Sequence, residues 1–264
     1  MTGRFSKLEV QQSKVQAATI APAELLGVPV RTPQDDLRAA SDAWRMECFE
    51  SALQHYTRAL RDDRGLIPAW VGQVQMLVEL HEHPEARLWA DKALELFRNN
   101  GELLAARALA AHRAGDHQAA LIASDDCLKA PGTSPLRWRV RAEIMLRSAA
   151  DRARDCFEKS LVEPGTDWFD RVLIARVYTT NSLPAAALVY AQQGLDMQPG
   201  HPITWVTLGR CQAALGMSEK AALSFQRATQ LPGGREPGLA ALKSLAGTGS
   251  PTRLSRWLTG LFKR

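Results

Sequence analysis

Side chains able to do chemistry are thinly spread along this chain of 264 residues. His81-Glu82-His83 sets two imidazoles and a carboxylate side by side, residue types that ligate zinc. Structural zinc takes four protein ligands, and no others lie close by in sequence. Pro84 follows at once, so the triplet reads as a solvated turn between helices. Asp62-Asp63 and Asp125-Asp126 are carboxylate neighbours rather than pairs facing across a cleft, and they read as surface. Cys48, Cys127, Cys156 and Cys211 are isolated, without a C-x-x-C pair, and read as buried, reduced thiols suited to a reducing cytosol. There is no Gly-Lys dipeptide, hence no P-loop, and no G-x-G-x-x-G, G-x-S-x-G or H-E-x-x-H. The expectation is a protein with no catalytic residues, no metal and no cofactor.

The C-terminal segment offers binding rather than catalysis. Leu254, Trp257, Leu258, Leu261 and Phe262 recur at i, i+3, i+4, i+7 and i+8, one apolar stripe of an α-helix, flanked by Arg253, Arg256, Lys263 and Arg264. So short a helix is marginal alone, and Gly260 weakens it further by about 1 kcal/mol. Three partners fit the stripe: the end of the repeat array described below, a groove on another protein, or an anionic membrane surface.

Charge is localised in the same way. Residues 235–264 hold six basic residues against Glu236, which accounts for the whole net charge of +5 and leaves residues 1–234 at zero. A neutral main body without base-stacking aromatics speaks against nucleic acid as a partner. No apolar run approaches the 18 or so residues of a membrane span, and polar residues such as Lys7, Glu9 and Lys14 occupy the place of an export signal. The expected location is cytoplasmic, with peripheral membrane attachment through the C-terminal helix as the alternative.

The elements that position these residues follow a ruler. Ala52, Ala86, Ala120, Ala153, Ala187 and Ala221 are spaced 34, 34, 33, 34 and 34 residues apart. Leu60, Leu94, Leu128, Leu161 and Leu195 keep the same beat until Thr229 breaks it. Twelve residues before each alanine, eleven in the fourth unit, stands another small or compact residue: Ala40, Val74, Ala108, Ala142, Ala175 and Gly209. Matched small residues let two antiparallel helices approach to about 8–10 Å, which marks the crossing inside a helical hairpin. Trp70, Trp138, Trp205, Tyr56, Phe157 and Phe225 fill the space around the crossings. Gly115 and Gly216 suit the left-handed turns between helices, and Pro131, Pro164, Pro199 and Pro232 stop the second helices.

Trp205-Val206-Thr207-Leu208-Gly209, followed by Gly216, Ala221, Phe225, Ala228 and Pro232, resembles the tetratricopeptide repeat family, whose repeat is 34 residues long. The resemblance covers about 200 of the 264 residues. It is weakest in the first unit, where Asp36 stands in the place of a tryptophan, and Arg64 and Arg98 replace the terminal proline of the first two units.

The fold this implies is all-α: a right-handed α-solenoid of about six helical hairpins, closed by a capping helix and followed by the amphipathic tail helix. The boundaries are 1–32 without an assignable pattern, 33–233 for the repeats, 234–247 for the cap and 248–264 for linker and tail. The cap opens at Pro237, places Leu239, Leu242 and Leu245 on one face and stops at Gly247. In this family first helices line a concave face, and that pattern selects Glu79, His112, Arg113, Arg139, Glu143, Arg147, Arg176 and Arg210. Five guanidiniums against two carboxylates suit an acidic peptide or a free C-terminus, or else the arginines pair internally and keep the face wet. The lysine–asparagine clamp by which some members grip chaperone tails is absent, its sites holding Val71, Gln75 and Ala106, or Ala105, Leu109 and Val140. The expected function is a non-enzymatic adaptor whose groove binds a protein or peptide while the tail contacts a second partner, the alternative being a membrane-associated assembly factor.

Overall fold

The computed structural model describes residues 31–248, so the stripe from Leu254 to Phe262 lies outside the described residues. Thirteen helices and no strand are present among the described residues: α1 (Pro33–Arg45), α2 (Phe49–Asp62), α3 (Ile67–Glu79), α4 (His83–Leu96), α5 (Gly101–Arg113), α6 (His117–Lys129), α7 (Pro135–Met145), α8 (Ala150–Val162), α9 (Trp168–Thr180), α10 (Pro184–Met197), α11 (Pro202–Ala214), α12 (Ser218–Thr229) and α13 (Arg235–Thr248). The chain divides into two compact units, Met1–Cys156 and Phe157–Arg264, with α8 running across the division.

In the first unit each odd-numbered helix packs on the even-numbered one that follows it and on the next odd-numbered one: α1 on α2 and α3, α3 on α4 and α5, α5 on α6 and α7. The second unit repeats this with α9 on α10 and α11, then α11 on α12 and α13. All six alanines of the ruler are 0% exposed, as are Ala40, Val74, Ala108, Ala142 and Ala175 on the facing helices. At Gly209 even a methyl is too much, since a Cβ there would lie 2.4 Å from the Phe225 ring. The last helix, α13, begins at Arg235, two residues before Pro237, and runs one residue past Gly247. Its Leu242 and Leu245 are buried, with Val206, Phe225 and Ala228 in the same apolar cluster.

The hairpin turns explain the short fourth unit. A left-handed residue closes the hairpins at Glu47, His81, Gly115, Ser182 and Gly216, with φ of 59°, 62°, 85°, 60° and 76°. Three of the four gaps between these positions equal the ruler's 34 residues, and the remaining gap, from Gly115 to Ser182, spans the unit that is one residue short. That unit turns through Leu146–Ala149 with no left-handed residue, so the missing residue is the one that closes the other turns. Glycine is therefore only one way of making this turn, and sequence inspection finds two of the five.

Two departures from the family pattern prove harmless for physical reasons. The indole Nε1 of Trp205 donates to the Pro199 carbonyl at 2.9 Å, and that of Trp70 donates to the Arg64 carbonyl at 2.9 Å. The backbone acceptor is what the indole needs, so arginine serves where proline is usual. In the first unit, Asp36 replaces an indole altogether. Its carboxylate is buried, accepts a hydrogen bond from His55 Nδ1 at 3.0 Å, and forms an ion pair with Arg31. A satisfied polar cluster thereby fills space an aromatic would fill.

Buried Arg137 ties the third and fourth hairpins together. Its guanidinium donates to the carbonyls of Ala130, Pro131 and Gly132 just beyond α6, and Nε donates to Glu102 Oε1 at 3.2 Å. A cation at a helix C-terminus also complements the helix dipole. Gly101 makes room for it, since a Cβ there would fall 2.0 Å from the guanidinium carbon. On the surface, the pairs Asp91–Arg107 at 2.8 Å and Asp125–Arg141 at 2.7 Å repeat 34 residues apart, each contributing at most about 1 kcal/mol.

Two substitutions test this packing. Ala120→Leu or Ala187→Leu overfills a closed crossing and is expected to cost about 1–3 kcal/mol, read as a lower Tm by circular dichroism; Tm values equal to the parent's would contradict the crossing. Gly101→Ala, which ordinarily favours a helix by about 0.5–1 kcal/mol, is expected to lower Tm instead, because it expels Arg137 from charged hydrogen bonds that contribute roughly 1.5–3 kcal/mol. An increase in Tm would show that Arg137 leaves without loss.

Candidate functional site

The 34-residue register converts sequence spacing into columns of side chains on one face of the odd-numbered helices. Gln75, Leu109 and Glu143 form one column across α3, α5 and α7; Glu79 and Arg113, each four residues later, form the next, and Arg147 holds the corresponding place in the turn after α7. Residues four apart on a helix share a face, so the two columns lie side by side. Arg139, one turn before Glu143, adds a third row. Gln75 is 6% exposed, Arg139 8% and Glu143 5%. Burying charge is unfavourable unless it is paired and hydrogen-bonded, and Glu143 is: Oε1 accepts from Arg113 Nε at 2.5 Å, linking α7 to α5. Burial works to lower the Arg113 pKa, but the Glu143 carboxylate, its hydrogen bond and the field of Glu79 outweigh that and raise it.

His112 stands beside this pair. Burial lowers its pKa, against the pull of Glu143 and with the help of the nearby His117, Arg113 and Arg147. Burial likewise lowers His83, with His81 and Arg113 adding to the effect and Glu82 opposing it. Both rings carry a sealed Nδ1 without a hydrogen-bond partner.

The expected site residues therefore separate into two groups. Glu79, His112, Arg113, Arg139, Glu143 and Arg147 lie in the first unit, whereas Arg176 in α9 and Arg210 in α11 belong to the second. Arg147 falls in the turn after α7 rather than on a first helix, because α7 ends at Met145 in the shortened unit. Arg113 is committed to Glu143, so internal pairing holds for that arginine. Gln75, His83 and His117 were not among the expected residues, yet the ruler carries the signal for them: Gln75 stands two periods before Glu143, and His83 one period before His117.

This arrangement can bind carboxylates, amides and hydrogen-bonding backbone; it holds no activated nucleophile among the described residues. Burial pushes the Cys127 thiol up to about 12 and raises Cys211. All four cysteines are free, and Cys48 is exposed rather than buried because it sits in the turn before α2. Among the described residues no three His, Cys, Asp or Glu side chains are grouped to hold a metal ion, His81-Glu82-His83 included.

A family model described as tetratricopeptide repeat matches residues 37–101, from α1 to the start of α5. Among solved structures the chain is similar to a tetratricopeptide repeat protein from Parabacteroides merdae, with TM-score 0.51 and 20% identity over 84% of this chain and 87% of that one. It is also similar to the APC/C hetero-tetramer Cut9–Hcn1, with TM-score 0.51 and 13% identity over 84% of this chain and 44% of the other. A third likeness is to the human IFIT1 dimer with PPP-AAAA, with TM-score 0.53 and 18% identity over 77% of this chain and 52% of the other. The chain thus spans about half the length of those last two proteins. At such identities the likeness is one of fold, and the fold is the tetratricopeptide helical-hairpin array. No curated protein matches the chain by sequence.

The depressed histidines fix the sign of a pH effect. Their folded pKa values lie below the ordinary 6.5, so between the two values the unfolded chain binds more protons and stability rises with pH. That stability is present above pH 6.5 and is lost as pH falls toward the folded values. Tm is expected to drop between pH 7.5 and pH 5.5, and to drop less in His83→Asn/His112→Gln; an equal drop in both proteins would contradict the assignment.

Proposed function

We propose that the chain is a non-enzymatic protein-interaction scaffold, and that the face built by α3, α5 and α7 receives a peptide segment carrying acidic side chains. The observation that supports this reading most directly is the inward burial of Arg139 and Glu143 on that face, at 8% and 5% exposure. A helix stack needs no charge there for packing, whereas protein interfaces are enriched in arginine and use it for forked recognition of carboxylates. The paired Glu143 sets the geometry of Arg113 and leaves the face with more cationic than anionic groups, since Arg139 and Arg147 stand beside it. Arg176 and Arg210 hold the equivalent repeat position within the second unit.

The partner binds through protein chemistry, without metal or cofactor, and adaptor is the class of activity that follows. No helix among the described residues is long and apolar enough to cross a membrane.

Selection of a displayed random-peptide library on the full chain tests the reading. Enriched sequences are expected to be rich in Asp and Glu. Arg147→Glu, at an exposed position, is expected to weaken the selected peptides by about fivefold or more, an exposed charge contact being worth up to about 1 kcal/mol and reversal adding repulsion. Enrichment of basic or purely apolar sequences, or affinities untouched by the Arg147 reversal, would overturn it.

A further inference from the structure

Four of the chain's six histidines gather at the tips of two neighbouring hairpins. His81 in the α3–α4 turn and His83 at the start of α4 have ring centroids 5.8 Å apart, and His112 and His117 flank the α5–α6 turn at 5.3 Å. His83 and His117 open α4 and α6 at equivalent repeat positions. Arg87, one turn after His83 on α4, reaches Asp116 beside His117 at 3.3 Å, which joins the two pairs into one patch.

The surrounding charges come from every helix packed here. Glu79 ends α3, Glu82 precedes α4, Glu143 lies on α7 and Arg147 follows it; Asp116, next to His117, is paired with Arg87 of α4 at 3.3 Å. With neutral imidazoles, Arg113 and Arg147 stand against Glu79, Glu82 and Glu143, a net charge of −1, and with the His83 and His112 rings protonated the net becomes +1. The patch therefore changes sign across the histidine range.

The two sealed Nδ1 atoms of His83 and His112 sharpen this. A neutral ring tolerates an unpartnered Nδ1, but an imidazolium places an N–H there with no acceptor. Glu82 is the carboxylate that favours charging His83, and Glu143, already bound to Arg113, is the one that favours charging His112. A further carboxylate arriving at the patch would add its field to those of Glu82 and Glu143 and favour the charged rings without touching the sealed Nδ1 atoms.

We propose that the tips of the α3–α4 and α5–α6 hairpins form a docking surface for an acidic protein segment that engages with uptake of protons at His83 and His112. The proposal rests on the acidic-peptide reading of the α3–α5–α7 face and adds to it a place at the hairpin tips and a pH dependence. Acidic segments bind weakly to the patch when its sign is negative and strongly once the rings charge, and each bound carboxylate draws the histidines toward the protonated state.

Fluorescence anisotropy of labelled hexaglutamate with the full chain tests this at pH 7.5 and pH 5.5. Glutamate, with a pKa of about 4.3, stays largely ionised at both, so a change in affinity reports the protein. Binding is expected to tighten about tenfold or more at pH 5.5. In His83→Asn/His112→Gln that ratio is expected to fall to about twofold, whereas a gain from general net charge would survive the substitution. Calorimetry of the unmodified chain at pH 6.5, in two buffers of different ionisation enthalpy, is expected to show net proton uptake and needs no variant. Affinity equal at both pH values, an unchanged ratio in the double variant, or absence of proton uptake would overturn the inference. Binding that is independent of pH overturns it alone; failure of hexaglutamate to bind at either pH overturns the acidic-peptide reading as well.

Discussion

Everything in this fold depends on helix crossings that leave no room. Six alanines, each 0% exposed, face compact residues on the partner helix, and the separation they impose decides where the aromatic side chains can go. Phe157, at 0% exposed, and the Tyr178 and Tyr190 rings stacked at 5.5 Å occupy the space that the crossings open on either side. Because the crossing recurs with the ruler, so does every other position of the repeat. Side chains 34 residues apart become neighbours in a column, which is how Gln75, Leu109 and Glu143 reach one face without any local signal in sequence.

That face carries a buried ion pair, and its energetics favour specificity over stability. Pairs of this kind seldom surpass a well-packed apolar substitute, while loss of one partner strands a charge and is strongly unfavourable. Arg113 and Glu143 therefore hold α5 and α7 in a defined relation and present a guanidinium whose remaining donors have fixed directions. Under the proposed function a ligand carboxylate would either share Arg113 with Glu143 or compete for it, and the proposed proton uptake at His83 and His112 would couple that competition to pH.

Spacing made the repeat, the crossings and the partition of first and second helices legible before any coordinates, because a period of about 34 residues carries positional information directly. It did not reveal how polar side chains partner, since that depends on rotamers and on neighbours far along the chain. Asp36 looked like a defect and is a buried acceptor for His55 and Arg31. Arg64 looked like a missing proline and supplies the same carbonyl to an indole. The deleted residue of the fourth unit showed in the count, but its place in the hairpin turn, and with it the displacement of Arg147 from a helix, required the backbone. Of the site, the arginines were legible from the register, whereas the commitment of Arg113 to Glu143 and the grouping of His83 with His112 were not.

The most direct test of the central claim, that partners are received on the odd-numbered helices of the first unit, is amide chemical-shift mapping of the full chain during titration with hexaglutamate. Perturbations are expected at Gln75, Glu79, His112, Arg113 and Glu143, with little change at Leu88 and Ile122, which are exposed on α4 and α6 at 51% and 53%. Shifts centred on Leu88 and Ile122, with the five inner-face residues unmoved, would contradict it.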